Sequence, residues 1–268
     1  MTPERVSNPM PFLDVNGVRI RYEWCGPEAA PVLVFSNSLG TDLAMWNTQA
    51  SALSRDFRIL RYDTRGHGCS SLPPGPYKLD QLANDLIGLL DKLALERVHF
   101  CGLSIGGMTG MALALRAAPR LRKVVLCSSA AKIGSPEIWN ARIEAVRKGG
   151  MQSVVPGILE RWYTAAFRSA WPEAVESTRR TLLSTPVEGY AGCCAALRDA
   201  DLRNDVAGIH LPVLIIAGAH DPATTPADGR FLAERIAGSR YAELQAAHLS
   251  NIEASDAFTM ELSAFLKA

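Results

Sequence analysis

Short apolar runs alternate with longer amphipathic stretches along most of this chain. The short runs predict strands, and the most apolar of them are typical of strands that are covered on both faces. In chain order these predicted strands are Pro31–Ser36, Phe57–Tyr62, Arg97–Cys101, Lys123–Cys127, Val213–Gly218 and Tyr241–Leu244. Strands that alternate with helices predict an α/β fold with a mostly parallel central sheet flanked by helices.

A hairpin is predicted before the first of these strands. The runs Phe12–Val15 and Val18–Trp24 are separated only by Asn16-Gly17, a dipeptide that favours a type I′ turn. The longest predicted helix of this part, Leu79–Leu95, has a stripe of leucines on one face, namely Leu82, Leu86, Leu89, Leu90 and Leu93. Further helices are predicted around 43–53, 228–236 and 251–266.

Residues 131–205 depart from the alternating pattern. No strand pattern occurs there, and helical segments are interrupted at Gly149-Gly150, Pro156-Gly157, Pro172 and Pro186. We predict that these residues form a helical cap, inserted into an α/β core that consists of residues 1–130 and 206–268.

The composition is typical of a globular protein with a substantial core, because 48% of the 268 residues are hydrophobic and 21% are charged. A net charge of +1 gives no reason to expect nucleic acid or an anionic membrane as a partner. No run approaches the roughly 18 apolar residues of a membrane span. The six cysteines show no metal-ligand spacing, and no signal-peptide pattern follows Met1–Arg5. We therefore expect a cytoplasmic protein with reduced thiols, as a monomer or weak homodimer.

The stretch Gly102-Leu103-Ser104-Ile105-Gly106 is a G-x-S-x-G motif between a predicted strand and a predicted helix. This is the context of a nucleophile elbow, in which a serine stands at the tip of a strained turn. The flanking glycines leave room for neighbouring backbone, and the start of the helix offers N–H groups to a developing negative charge. Such a motif also arises by chance, whereas a phosphate-binding loop is disfavoured because its complete glycine patterns are missing.

A serine nucleophile needs a base and an acid that orients the base. Asp221 follows the strand that ends at Gly218, and His248 follows the last strand, so both stand at carboxyl ends of strands. The order Ser104, Asp221, His248 is that of an α/β-hydrolase, and we predict these residues as the catalytic triad. Taken singly, the aspartate is more often a turn residue and the histidine more often structural.

An oxyanion hole requires two backbone N–H groups that face the oxygen on which charge develops. Ile105, directly after the serine, is the first candidate donor. Leu39, in the loop after the Pro31–Ser36 strand, is the second, because Gly40 gives this loop backbone freedom. The alternative interpretation is that residues 37–40 form only a turn.

With these residues the chain resembles the α/β-hydrolases and, more narrowly, the 3-oxoadipate enol-lactonases, over nearly its whole length. The narrower resemblance rests on residues 36–42 with Trp46, 132–143, 189–201 and 247–253. In the first stretch Asn37-Ser38 stands where most relatives have a His-Gly pair.

This resemblance implies hydrolysis of 3-oxoadipate enol-lactone to 3-oxoadipate through an acyl-enzyme, late in bacterial breakdown of catechol and protocatechuate. It implies no cofactor and no metal. The implied partner is a small lactone with a free carboxylate, so we expect a cation in the cap. Trp139 and Arg142 would share a helix face, with Trp139 as an apolar wall and Arg142, or another cap arginine, as the carboxylate partner. The alternative is a core tryptophan beside a solvated arginine.

Two other readings of function stay open. One is another reaction on the same scaffold, as in carboxylesterases, perhydrolases or carbon–carbon bond hydrolases, which share the triad and differ in the cap. The other is a catalytically silent hydrolase fold that acts as a small-molecule receptor. Haloalkane dehalogenases and epoxide hydrolases are disfavoured because Ser104 stands where they have aspartate.

Overall fold

The computed structural model describes residues 11–268. Residues 1–10, the first part of the predicted core, lie outside the described residues. The strands are β1 (Phe12–Val15), β2 (Val18–Cys25), β3 (Val32–Ser36), β4 (Arg58–Tyr62), β5 (Val98–Leu103), β6 (Leu121–Cys127), β7 (Val213–Gly218) and β8 (Arg240–Leu244).

These strands form one eight-stranded sheet in the order β1-β2-β4-β3-β5-β6-β7-β8. The pairs β1–β2 and β2–β4 are antiparallel, and every pair from β4 to β8 is parallel. The predicted α/β fold with a mostly parallel sheet is confirmed. The predicted hairpin is β1–β2, and both turn residues have positive φ, 50° at Asn16 and 76° at Gly17, as a type I′ turn requires.

Helices cover this sheet. In chain order they are α1 (Asn47–Leu53), α2 (Leu79–Lys92), α3 (Ile105–Arg116), α4 (Pro136–Gly149), α5 (Val155–Trp162), α6 (Ala165–Ala170), α7 (Pro172–Ser184), α8 (Val187–Asp199), α9 (Pro226–Arg235), α10 (Ser250–Glu253) and α11 (Ser255–Lys267). The leucine stripe of α2 is buried as predicted, except that Leu93 lies just beyond the helix and is half-buried. Among residues 11–268, no helix is long and apolar enough to cross a membrane.

The end of the chain differs from the prediction. A single closing helix is expected over 251–266, but the structure has α10 and α11, separated at Ala254 with φ −119° and ψ 48°. The break has a packing reason. α11 lies beside α1 with Phe258 and Leu262 buried, whereas α10 stays against the loop that precedes it.

Helices α4–α8 occupy the stretch between β6 and β7, where the sequence predicts the cap. Helix α8 is buried along most of its length. It lies directly against the loop after β4, since a Cβ at Gly189 would stand 1.9 Å from the carbonyl oxygen of Gly66. This segment is therefore fastened to the carboxyl end of the sheet. The division of the chain into core and cap at residues 131 and 205 stays a prediction.

Candidate active site

Ser104 stands in the sharp turn between β5 and α3, where the sequence predicts a nucleophile. Its φ of 59° and ψ of −116° lie in a region that residues with a side chain rarely adopt. The turn is held from both sides. The Ser104 N–H donates to the carbonyl of Cys127 at 2.9 Å, and the Ser129 hydroxyl donates to the Ser104 carbonyl at 2.8 Å. The strain is maintained by the surrounding structure, as in functional turns.

The glycines of the motif are required by close backbone contacts. A Cβ at Gly102 would stand 2.3 Å from the carbonyl oxygen of Gly106, and one at Gly106 would stand 2.4 Å from that of Ser36. The start of α3 therefore lies directly against the end of β3. This approach brings Ile105 and the loop after β3 together, as an oxyanion hole needs.

Asp221 and His248 meet in the loops after β7 and β8. The His248 Nδ1 and the Asp221 Oδ2 are 2.7 Å apart, and both residues are almost fully buried. The same carboxylate accepts from the N–H groups of Ala223 and Thr224 at 2.8 and 3.1 Å, and from the Thr224 hydroxyl at 2.6 Å. Because Nδ1 is bound by the acid, Nε2 is the nitrogen available to a substrate or nucleophile.

The ionisation of Asp221 follows from these contacts. Burial acts to raise its pKa, but the charge of His248 and the hydrogen bonds from His248 and Thr224 outweigh burial. The pKa of Asp221 therefore lies below its usual value, and the residue is a carboxylate at neutral pH. A carboxylate in this position orients the imidazole and stabilises its charged form.

All three predicted triad residues follow strands of the parallel half of the sheet. Ser104 follows β5, Asp221 follows β7 and His248 follows β8, and the carboxyl ends of these parallel strands share one edge of the sheet. This is the edge at which ligands bind in open α/β sheets.

The other histidines take no part in this arrangement. His67 is fully buried, and burial lowers its pKa to about 4. His99 packs edge-on against Phe57, at the amino end of the sheet. His210 is exposed, and His220 contacts Gln245 on the surface. Among residues 11–268, no cluster of histidine, cysteine, aspartate or glutamate has the form of a metal site.

The loop after β3 is braced by side chains. Asn37 donates to the Tyr62 carbonyl at 2.8 Å and accepts from the Trp46 indole at 3.1 Å. The Ser38 N–H donates to the Met45 thioether at 3.3 Å. The hydrogen bond between Trp46 and Asn37 therefore holds the loop after β3 in place. The sequence alone did not predict this bracing role.

The two predicted N–H donors remain available at this place. Among the described residues, neither the Leu39 N–H nor the Ile105 N–H has a hydrogen-bond acceptor, whereas the Ser38 N–H is occupied. The free N–H of Ile105 is expected at the first residue of a helix. The pair therefore agrees with the predicted oxyanion hole, and it favours Leu39 over Ser38 as the second donor.

The predicted cap residues lie together on α4. The Arg142 guanidinium stands 5.3 Å from the centre of the Trp139 ring, so the two share a face. Trp139 is buried and donates to the Ile133 carbonyl at 2.6 Å. Arg142 is half-buried and lies 3.4 Å from the Tyr190 hydroxyl. The Tyr190 ring in turn packs on Gly40, so this cluster adjoins the loop of Leu39.

Two residues near the site were missed by sequence reasoning, Arg161 and Trp162 at the end of α5. The Trp162 ring stacks on His248 with the ring centres 5.8 Å apart. Burial lowers the pKa of Arg161, and the nearby charge of Arg142 lowers it further. Within residues 11–268, neither arginine forms an ion pair with a carboxylate. Trp162 is one of three tryptophans in the predicted cap, but no spacing in the sequence distinguishes it as a neighbour of His248.

Residues 31–255 match the family of proteins with the alpha/beta hydrolase fold, and the chain belongs to that family. It is 44% identical over 255 residues to 3-oxoadipate enol-lactonase 2 of Acinetobacter baylyi, which covers 95% of this chain and 96% of that protein. 3-Oxoadipate enol-lactonase 1 of the same organism is 42% identical, with 91% of each chain covered. The crystal structure of the enol-lactonase from Burkholderia xenovorans LB400 superimposes with a TM-score of 0.95 at 50% identity, over 96% of this chain and 100% of that one. The resemblance inferred from the sequence is confirmed, as is the assignment to the hydrolases.

Proposed function

We propose that this protein hydrolyses 3-oxoadipate enol-lactone to 3-oxoadipate, with Ser104, His248 and Asp221 as nucleophile, base and acid. The similarity to two enol-lactonases over most of the chain supports the reaction. The observation that carries the substrate assignment is Arg142, a half-buried cation that has no carboxylate partner in residues 11–268 and lies beside the proposed site. A lactone with a free carboxylate supplies the missing anion.

In the first half-reaction the Ser104 hydroxyl attacks the lactone carbonyl while His248 Nε2 takes its proton. Asp221, bound to Nδ1 at 2.7 Å, keeps the ring oriented and stabilises the imidazolium. The carbonyl oxygen gains negative charge and accepts from the N–H groups of Leu39 and Ile105. Collapse of this intermediate breaks the ring C–O bond, and the leaving enolate takes the proton and becomes a ketone.

In the second half-reaction a water attacks the acyl-enzyme, again with His248 as the base. The ester bond to Ser104 breaks, the serine recovers its proton from His248, and a second carboxylate appears on the product. These steps need no cofactor or metal. The proposed setting is the β-ketoadipate route of bacterial aromatic breakdown, which the names of the relatives suggest.

The substrate is oriented by Trp139 and Arg142 on α4. Its carboxylate binds Arg142, whose guanidinium stacks on Trp139, and the apolar part of the lactone lies against that indole. Burial and then the nearby charge of Arg142 lower the pKa of Arg161, so Arg161 is a second cation close to the proposed carboxylate site. Arginine suits this role because its fork of N–H donors matches a carboxylate.

The direct experiment follows the ultraviolet loss of freshly generated 3-oxoadipate enol-lactone with wild type and Ser104→Ala in parallel. We expect rapid loss with wild type and a fall of at least about 10⁴-fold in the variant, because the nucleophile is gone. No loss with wild type, while p-nitrophenyl acetate is still cleaved through Ser104, would discard the lactonase assignment and favour a general esterase. Absence of cleavage of either compound by folded protein would favour a receptor.

A further inference from the structure

Glu253, at the end of α10, connects the loop of His248 with the α5–α6 junction. Its Oε2 accepts from the Ala247 N–H at 2.9 Å, directly before His248. Its Oε1 accepts from the Thr164 N–H at 3.2 Å and also from the Thr164 hydroxyl. The side chain is half-buried, and within residues 11–268 it forms no ion pair with a cation. Its charge is therefore directed at N–H and O–H donors, which makes these hydrogen bonds strong.

Two more contacts join the same two segments. The Leu249 N–H, directly after His248, donates to the Trp162 carbonyl at 3.2 Å. The Trp162 ring stacks on the His248 ring. The residues before and after His248 are thus both tied to residues 162–164, one through Glu253 and the other directly.

We propose that Glu253 is a positioning residue, which holds the His248 loop in its productive place and couples it to the α5–α6 junction. The inference rests on the proposed role of His248 as base. Glu253 itself contacts neither the imidazole nor the proposed nucleophile in the hydrogen-bond network, so it acts through Ala247 and Thr164. Removing it takes away the link between Ala247 and residue 164 and leaves the link between Leu249 and Trp162.

The competing role for Glu253 is to fasten the helical segment and nothing more. The two roles differ in kinetics. A residue that positions the base affects every substrate, including a small neutral ester that needs no cap contact. A residue that only fastens α6 changes the binding of the carboxylate-bearing lactone and leaves the small ester unaffected.

The experiment measures kcat and KM of Glu253→Ala on 3-oxoadipate enol-lactone and on p-nitrophenyl acetate. We expect kcat to fall on both by the same factor, about tenfold to a hundredfold, because a displacement of about 1 Å costs up to about 10²-fold. The KM for p-nitrophenyl acetate should change little. Glu253→Gln should lose less kcat than Glu253→Ala, because its amide keeps one acceptor oxygen. Some loss is still expected, because the amide NH2 group replaces the second acceptor and faces another donor. The control is Glu261→Ala, an exposed position on α11.

A higher KM for the lactone alone, with unchanged turnover of p-nitrophenyl acetate, would overturn the inference. A lower melting temperature with wild-type kinetics on both compounds would also overturn it. His248→Ala is measured beside these variants. If it stays active, the proposed base and the inference fall together, whereas an inactive His248→Ala with a fully active Glu253→Ala overturns the inference alone.

Thr164→Val keeps the test decisive if Glu253→Ala does not fold. This change removes the hydroxyl that donates to Glu253 and keeps the backbone N–H. We expect kcat to fall on both compounds, by less than in Glu253→Ala. In the double variant Thr164→Val with Glu253→Gln, the fall in kcat should be smaller than the product of the two single falls. Fully independent effects, or an effect confined to the lactone KM, would contradict the coupling.

Discussion

Asp221 and Ser104 at the carboxyl edge of the sheet differ from Arg142 and Arg161 in the helical segment α4–α8 in whether the protein supplies their partners. At the sheet edge, Asp221 accepts hydrogen bonds from Ala223, Thr224 and His248, and the Ser104 turn is bound through its own N–H and carbonyl. In the helical segment, Arg142 and Arg161 are half-buried without an acidic partner in residues 11–268.

This difference has a physical meaning. A cation removed from water without a counter-charge costs free energy, so it is expected where a ligand supplies the anion. Groups whose hydrogen-bond partners belong to the protein keep their positions before a ligand binds. Such preorganisation is what catalytic groups require. We therefore expect the sheet edge to carry the proposed reaction and the helical segment to determine the choice of substrate.

The largest expected effect is a loss of turnover when the carboxylate at the sheet edge is removed. Asp221→Asn removes the carboxylate that fixes the His248 tautomer, so we expect kcat to fall about 10⁴-fold on both 3-oxoadipate enol-lactone and p-nitrophenyl acetate. Steady-state kinetics measure this, with exposed Asp14→Asn on β1 as the matched control. A loss confined to the lactone would contradict the assignment of Asp221 to the chemistry.

A smaller effect is expected from the helical segment. Arg142→Ala should raise KM for the lactone about tenfold to a hundredfold, because a hydrogen bond to a charged group contributes about 1.5–3 kcal/mol. The KM for p-nitrophenyl acetate, which has no carboxylate, should change less than about threefold. Arg180→Ala, an exposed arginine on α7, is the control. Arg142→Lys should recover part of the affinity, since the charge returns without the fork of donors.

The last expected effect concerns the pH dependence of stability and involves His67, in the loop after β4. Fully buried His67 has a pKa of about 4, whereas an unfolded histidine titrates near 6.5. Between these values the unfolded chain binds the extra proton, so stability falls as pH drops from about 6.5 to about 4, by up to about 3 kcal/mol.

Urea unfolding of His67→Gln at several pH values measures this dependence. Its slope in this window should be shallower than that of wild type and should not vanish, because burial also lowers the pKa of His99 to about 4. Exposed His210→Gln is the matched control. An unchanged slope in His67→Gln would mean that folding does not lower the pKa of His67.

The sequence was sufficient for the parts that local rules determine. The Asn16-Gly17 turn, the buried strands and the position of Ser104 follow from φ preference, apolar runs and the glycines of one motif. The meeting of Asp221 with His248 follows from chain order, because parallel strands end at one edge.

What the sequence did not predict depends on contacts between distant segments. The break at Ala254 reflects packing of α11 beside α1, and no local signal marks it. The stacking of Trp162 on His248 and the approach of Arg161 to Arg142 depend on how α5 lies over the sheet. The glutamate at 253 was visible only as part of a family stretch, since its two partners stand at positions 164 and 247.

The two regions are proposed to have separate roles, the sheet edge in the reaction and the helical segment in substrate binding. The most direct measurement is kcat/KM of wild type, Asp221→Asn and Arg142→Ala on 3-oxoadipate enol-lactone and on p-nitrophenyl acetate. We expect Asp221→Asn to lower both values by a similar factor, while Arg142→Ala lowers only the value for the lactone. Equal losses on both compounds in Arg142→Ala would contradict the account.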